Sequence, residues 1–517
     1  MDLRGRRDVL AGKKQLQRFN YKQLQTVNFN FNPLLIALAT LVASDAFAQS
    51  PEAAKEAEDR LRIDFFIDAE LSGAYRSHAI TRILDRDNNT DSEAFLAPRL
   101  TIRAEARLPK SAEVVVEIEN ARLRSNLFDS DTWGTDANRV IPGRADDFEA
   151  LVEQAYIRVD NLFWNQLSVK IGLQDFALAL RGPGDSFFAD LQESEFALVS
   201  PVAESVTTGS LYGMRAPDGT TPATAGVFRD RADAGGARLT WNVAQKSLLF
   251  VDAFWFTTLE GGVRHADERF YGLNADFLIP ITEDRPSLVN VMFSGIDNDR
   301  AGSQIWTGGL GLDFSPMAPV GLDIYLELYG QWGHYADTPA HGVHQRAFAG
   351  RAGVKLPLPL PLKPAIEGSV WLLSGDRGDP DDSTNRDFVS YENINEALVV
   401  EDALYGLDID SNYFSPRLRA TATAKLFNPD DLHIELLYAW FRFHREPARA
   451  GGPGRSDPAR KIGHEIDLRA RFEFSEHASF SIFAGALLDS PWLAARDAFY
   501  TRTRRAFIGG VQLNVGF

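Results

Sequence analysis

The 517-residue chain carries 24% charged residues, a net charge of −17 and a mean hydropathy of −0.21. That density of charge excludes a bundle of apolar membrane helices, and the acidic balance argues against nucleic acid as a partner. There is no cysteine, so disulfides, thiolate catalysis and cysteine-bound metal are excluded.

The N-terminal region is basic, with Arg4, Arg6, Arg7, Lys13, Lys14, Arg18 and Lys22. A short apolar run follows, PLLIALATLVA from Pro33 to Ala43, and then Ser44, Asp45, Ala46, Phe47 and Ala48. A basic region, a short apolar run and an A-x-A site read as a secretory signal peptide over 1–48, cut between Ala48 and Gln49. The run is too short for a membrane-spanning helix. The basic region is long for such a leader, which leaves the translation start open. Residues 49–61 are polar and read as a periplasmic lead-in to a single barrel domain over 62–517.

From residue 62 onward the chain keeps a two-residue beat. In 62–75, Ile63, Phe65, Ile67, Ala69 and Leu71 alternate with Asp64, Asp68, Glu70 and Ser72. In 464–474, Ile466, Leu468, Ala470, Phe472 and Phe474 alternate with Glu465, Asp467, Arg469, Arg471 and Glu473. Neighbouring side chains of a strand point to opposite faces, so each such segment has one apolar and one charged wall. Strands are predicted at 62–75, 96–108, 112–121, 149–159, 167–175, 236–243, 247–256, 268–279, 287–295, 305–314, 321–332, 345–356, 365–373, 414–426, 432–442, 464–474, 479–488 and 506–517. Between them, short turns such as 109–111 and 475–478 follow even strands, and long polar segments such as 122–148, 176–235, 374–413 and 443–463 follow odd ones. The last strand ends on Phe517. These features predict an all-β protein: a transmembrane antiparallel β-barrel of about eighteen strands in the bacterial outer membrane, with short periplasmic turns and long extracellular loops. A half-buried soluble sheet also alternates, but it gives no reason for the sorted loops or the leader. The terminal aromatic suits recognition by the barrel-assembly machinery, and membrane lipid and lipopolysaccharide are the expected surroundings. Trp164, Trp255, Trp332, Trp440 and Trp492 fall near strand ends, where they serve either an interfacial girdle or ordinary packing.

Gln154-Ala155-Tyr156 on one strand, a short turn, and Lys170-x-Gly172-x-Gln174 on the next resemble the alginate-export family of outer-membrane proteins. The resemblance implies an eighteen-stranded barrel, an arginine-lined lumen, and passive passage of a hydrophilic solute, with an anionic polysaccharide as one candidate. Strand parity gives the inward residues here. The basic ones are Arg99, Arg103, Arg107, Arg158, Lys170, Arg238, Arg351, Lys355, Arg417, Arg419, Lys425, Arg469 and Arg471. The acidic ones include Asp64, Glu70, Glu105, Glu113, Glu117, Glu119, Asp276, Asp313, Asp323, Glu327, Glu367, Glu435, Glu465, Asp467 and Glu473. The lumen is therefore mixed in charge, a departure from an arginine-lined channel. Arg99, Arg103 and Arg107 recur on one face and read either as a track for anions or as partners of Glu113, Glu117 and Glu119 across the hairpin.

Other chemistry is thin. Asp85-x-Asp87-x-Asn89-x-Asp91-x-Glu93 has the oxygen spacing of a calcium loop without its turn glycine, and a solvated acidic loop is the plainer reading. The acidic segment 374–413 has three readings: solvation, which is the simplest, a fold into the pore mouth, or contact with divalent cations held by lipopolysaccharide. His433 lies beside Glu435 and His464 starts a strand, but neither has a nucleophile motif, and no cofactor motif is present. A channel is expected. A barrel hydrolase and a loop-plugged structural barrel are the alternatives.

Overall fold

The computed structural model describes residues 62–77, 92–108, 111–120, 125–126, 150–162, 166–174, 176–178, 189–190, 234–243, 249–259, 268–280, 287–298, 302–317, 321–337, 342–376, 383–389, 396–401, 407, 409, 411–425, 432–445, 460–475, 477–496 and 504–516. The expected signal peptide and lead-in, most of the Asp85–Glu93 motif, Trp164 and Phe517 lie outside them.

Eighteen long strands form the wall: β1 Arg62–Ser77, β2 Ser92–Leu108, β3 Ala112–Asn120, β4 Ala150–Val159, β5 Leu167–Gln174, β6 Ala234–Asn242, β7 Leu249–Leu259, β8 Glu268–Ile279, β9 Ser287–Asn298, β10 Ser303–Met317, β11 Leu322–Asp337, β12 Gly342–Pro357, β13 Ala365–Leu373, β14 Tyr413–Ala424, β15 Leu432–Phe443, β16 Lys461–Ser475, β17 Ala478–Leu488 and β18 Ala506–Gly516. Each pairs antiparallel with its neighbour in sequence. β1 also pairs with β18, from Asp68↔Gly516 to Ser77↔Phe507, and this closes the ring. Every predicted strand is present. The ring has no edge among these strands, which is the condition for a sheet in hydrocarbon, where an unpaired N–H or C=O has no water to turn to.

The outward face is apolar and uncovered. Ile63, Phe65, Ile157, Ile171, Leu273, Val291, Leu328, Leu418, Leu468 and Val511 are among the exposed large hydrophobics, and Ile171 reaches 56% exposure. A protein surrounded by water does not leave such a belt open on strand after strand. A closed, even-stranded barrel with this belt and a polar interior is the architecture of a bacterial outer-membrane protein. One sector of the belt is a row of contacting rings. Trp255 stacks on Tyr271 at 5.1 Å, Tyr271 meets Trp306 edge-on, and Phe293 lies between Trp306 and Trp332. Trp492 is not part of the girdle. It sits in a short helix, α1 Pro491–Arg496, buried against Phe443 on the inner wall.

The loop rule holds only in part. The connections after β9 and β11, at 299–302 and 338–341, are as short as the turns at the opposite end. There the ladder simply continues. Gly333, His334 and His344 lie beyond the predicted strand ends, yet Gly333 pairs with Gln345 and His334 with His344. β10 to β12 therefore use as wall the residues that other hairpins spend on loops.

Inside, the two ends of the barrel differ. Toward the long connections the inner face is apolar: Phe254, Phe256, Phe270, Ile296, Ile305, Trp371, Phe441 and Phe443 are buried there. Segments of the connections enter and cover them. Phe176 packs on Phe254 and Phe256 at 4.6 and 4.8 Å, and Phe388, Val389 and Ala397–Val400 join the same cluster. Toward the short turns the inner face is ionic from the second to the fourth strand and again on the fifteenth and sixteenth.

Arginine in place of Leu273 or Val291, both outward in mid-strand, is expected to cost about 2–4 kcal/mol of stability in lipid. Arginine in place of inward Thr423 is expected to cost much less. Urea unfolding of the protein in vesicles measures both.

Candidate functional site

The ionic half of the lumen begins at β2 to β5. The Arg103 Nε donates to Glu105 Oε1 at 2.8 Å and its Nη1 to Glu117 Oε2 at 3.2 Å. The Arg107 Nη2 reaches the other oxygen of Glu105 at 3.2 Å, and its Nε stands 3.9 Å from Glu113. Of the two readings of this arginine row, cross-strand pairing is the one realised for Arg103 and Arg107. Arg99 is in register with Glu70, and the side chains of Arg99 and Glu119 lie outside the described set. The Q-A-Y and K-x-G-x-Q segments meet here as neighbours in β4 and β5. The Lys170 Nζ sits 3.8 Å over the Tyr156 ring, and the Arg103 Nη2 donates to the Tyr156 hydroxyl at 3.4 Å. Gly172, directly across from Tyr156, has φ +130 and would place a Cβ 2.2 Å from the Ala155 carbonyl oxygen, so only glycine fits. Gln154 donates to Glu117, while Gln174 donates to the carbonyl oxygens of Gly172 and Gly236. In this fold the motif is a piece of wall chemistry.

At the far end the segment between β13 and β14 turns inward, so its described residues are not the solvated loop expected from their acidity. The inner wall grips it by its main chain. Leu398 N–H donates to Asp467 Oδ2 at 2.9 Å, Val399 N–H to Glu465 Oε1 at 2.5 Å, and Val400 N–H to Glu465 Oε2 at 3.0 Å. Val389 N–H donates to Gln331 Oε1 at 2.9 Å, and the Gln331 side-chain amide returns a bond to the Val389 carbonyl at 2.6 Å. Gln345 likewise donates to the Asp387 carbonyl. The base of the segment is tied by Asp376 N–H to Asp387 Oδ1 at 2.7 Å, Arg386 N–H to Asp376 Oδ2 at 2.8 Å, and Gly375 N–H to His444 Nδ1 at 3.3 Å. Burial pushes the Asp387 carboxyl up to about 7; the neighbouring Asp376 charge adds to this, while the Asp376 N–H and the Arg445 charge oppose it. Burial, with Arg445 and Arg460 nearby, lowers the pKa of His444, which keeps its Nδ1 free to accept.

Beneath this segment the inner wall concentrates its charge. The Arg351 Nε donates to Glu327 Oε2 at 2.6 Å. Arg417 holds Glu401 through both terminal nitrogens and lies over the Trp371 ring at 3.9 Å, and the Tyr413 hydroxyl donates to the same carboxylate at 2.5 Å. The side chains of Arg351 and Arg417 are only 1% exposed. Buried guanidinium–carboxylate pairs of this kind contribute little net stability against an apolar substitute, but removing one partner leaves an unpaired buried charge. Closer to water, Arg419 lies between Glu396 at 2.8 Å, Glu435 at 3.6 Å and Glu367 at 3.9 Å, and Arg469 donates to Glu435 at 3.0 Å.

The predicted inward residues thus divide. Arg103, Arg107, Arg158, Lys170, Lys355, Arg469, Arg471 and Asp323 face the lumen with part of their surface accessible, Glu105 is buried between Arg103 and Arg107, and Lys425 is exposed at the turn end. Arg419 is half-covered. Arg351, Arg417, Glu327, Glu465 and Asp467 point inward but are buried beneath the entering segment, where Arg417, Glu465 and Asp467 hold it in place. Sequence reasoning passed over Asp252, which takes both nitrogens of Arg238 and the Thr240 hydroxyl, and over Glu396. His433 faces the lumen, 4.0 Å from Glu473, whereas His464 faces outward and bonds the Tyr438 hydroxyl at 2.8 Å. The wall separates the two histidines, so they build no common site.

No family model and no curated protein matches this chain. Among solved structures, it is similar to OprD of Pseudomonas aeruginosa (10% identity, TM-score 0.47, covering 88% of this chain and 95% of that one). It is also similar to OccAB1 of Acinetobacter baumannii (11% identity, TM-score 0.47, 88% and 96%) and to OccK5 of P. aeruginosa (13% identity, TM-score 0.45, 88% and 98%).

Glu465→Ala removes the acceptor of two buried amides, at about 1–3 kcal/mol for each donor left unsatisfied. Hydrogen exchange at Val399 and Val400 is expected to accelerate while the strand amides of β16 and β17 stay protected. Asp387 makes the base of the segment pH-dependent. Its carboxyl is raised in the fold, so its contribution is full below about 4, the ordinary aspartate value, and is lost as pH rises through about 7. Exchange at Arg386–Val389, corrected for intrinsic rate, should be faster at pH 8 than at pH 5, and Asp387→Asn should abolish the difference.

Proposed function

We propose that this barrel is a passive outer-membrane channel for hydrophilic solutes, with anionic carbohydrate as the solute class. The supporting observation is the inner wall toward the short turns. Its ion pairs remain accessible to water, with the side chains of Arg107, Arg158 and Arg471 at 53%, 49% and 55% exposure, in a ring whose outer face is apolar. Bases and acids alternate on neighbouring strands: Arg103 beside Glu117, Arg238 beside Asp252, Arg469 beside Glu435. Such a lattice offers donors and acceptors in short steps. It suits a solute that carries hydroxyls together with charge, and it holds none tightly enough to stop passage. The resemblance of the Q-A-Y and K-x-G-x-Q segments to alginate exporters supplies the carbohydrate part of this reading.

A loop-plugged structural barrel is the second reading, favoured by the apolar cluster that the inward segments build at one end. Planar-bilayer recording separates the two. Steady unitary conductance supports the channel, and an electrically silent, correctly folded barrel supports the plug. For the channel, Arg158→Glu combined with Arg471→Glu is expected to move the reversal potential in a KCl gradient toward cation preference. An unmoved potential removes both residues from the permeation path.

A further inference from the structure

Glu396 has an unusual position for an acidic residue. It belongs to the inward segment, not to the wall, and its side chain keeps 26% exposure. Two wall arginines from one strand, β14, converge on a single oxygen of its carboxylate: Arg417 Nη1 at 3.0 Å and Arg419 Nη2 at 2.8 Å from Oε2. Arg351 Nη1 stands 4.0 Å from the other oxygen, and Arg469 Nη2 donates to the Glu396 carbonyl at 2.8 Å. The other acids of the cluster, Glu327, Glu367, Glu401 and Glu435, have their own arginine or tyrosine partners. The amides of 398–400 and Val389 do not depend on the Glu396 carboxylate, because Glu465 and Asp467 bind the first three and Gln331 binds the last.

We propose that Glu396 is a tethered counter-anion: the chain's own carboxylate occupies the lumen-side face of the Arg417–Arg419 guanidinium pair, and a mobile anion engages that pair only by exchanging with it. The inference rests on the channel reading and adds a control element to it. Glu396 fixes how strongly the lumen favours anions at this level, while the segment that carries it stays in place. The displaced carboxylate turns toward water on its tether, so the guanidinium pair keeps one anionic partner throughout. The segment therefore need not open for an anion to dock, and the cost is the displacement of one partly hydrated side chain.

The test uses the full-length barrel in planar bilayers, with Glu396→Gln and Glu396→Asp. Glu396→Gln keeps the size of the side chain and removes its charge. The chloride-to-potassium permeability ratio should rise about fivefold, the Boltzmann factor for one unit charge at contact distance in water. Gluconate added to one side should then block current at lower concentration than in the parent, while Glu396→Asp should restore the parent ratio. Amide protection at 398–400 should be unchanged in both variants. An unaltered ratio in Glu396→Gln overturns the proposal. So does a change that comes with lost protection at 398–400, since that would be an opened segment and not an unmasked site. A parent barrel and variants that are all silent overturn the channel reading beneath it instead.

Discussion

Hydrocarbon offers a peptide group no partner, and the rest of this structure follows from that. Eighteen strands satisfy the demand only as a ring, so the first and last strands must meet, and they do so over ten residue pairs from Asp68↔Gly516 to Ser77↔Phe507. Ring closure fixes the parity of every strand at once. With the pleat locked, Leu468 must face out and Asp467 must face in, and the same holds strand by strand around the circumference. The outward belt and the inward charge are two sides of one constraint.

The lumen is not uniform, and its two ends obey different physics. Near the turns it is a wet lattice of ion pairs, where Arg103 and Arg107 are each shared between a carboxylate on their own strand and one on the next. Near the long connections it is a small protein core turned outside in. Phe254, Phe256, Phe441 and Phe443 point to the barrel axis, and the connections supply Phe176, Val389, Val399 and Trp492 to cover them. The most heavily buried ion pairs, Arg351–Glu327 and Arg417–Glu401, lie at the junction of the two zones. There the Trp371 ring lies beneath both guanidinium groups, and the entering segment excludes water from above. Glu396 stands at the wet edge of that junction.

Alternation was enough to place all eighteen strands, because the requirement that produces it, lipid on one side and water on the other, acts on every second residue. Where that requirement stops, so did the reading. Residues 253–256 (AFWF) and 436–441 (LLYAWF) are apolar on both faces, a local failure of the beat that marks an inner wall under cover. The apolar Ala397–Val400 stretch inside an acidic connection was the matching signal for what covers it. Neither is decisive alone, since an apolar run in a loop has no period to interpret. Parity also gave the direction of Arg351 and Arg417 correctly. It could not give their burial, which depends on a segment distant in sequence. The extra length of β10 to β12 escaped notice because Gly333, His334 and His344 interrupt the apolar beat while their backbones keep pairing.

At Val389 and along 398–400 the wall holds its entering segment by peptide groups: Glu465, Asp467 and Gln331 bind the N–H groups of Leu398, Val399, Val400 and Val389. Recognition of that kind is blind to residue identity. Lineages of this barrel are free to exchange one aliphatic residue for another along 398–400, and so to reshape the mouth, without retuning the wall. Proline is barred, because it brings no hydrogen to donate.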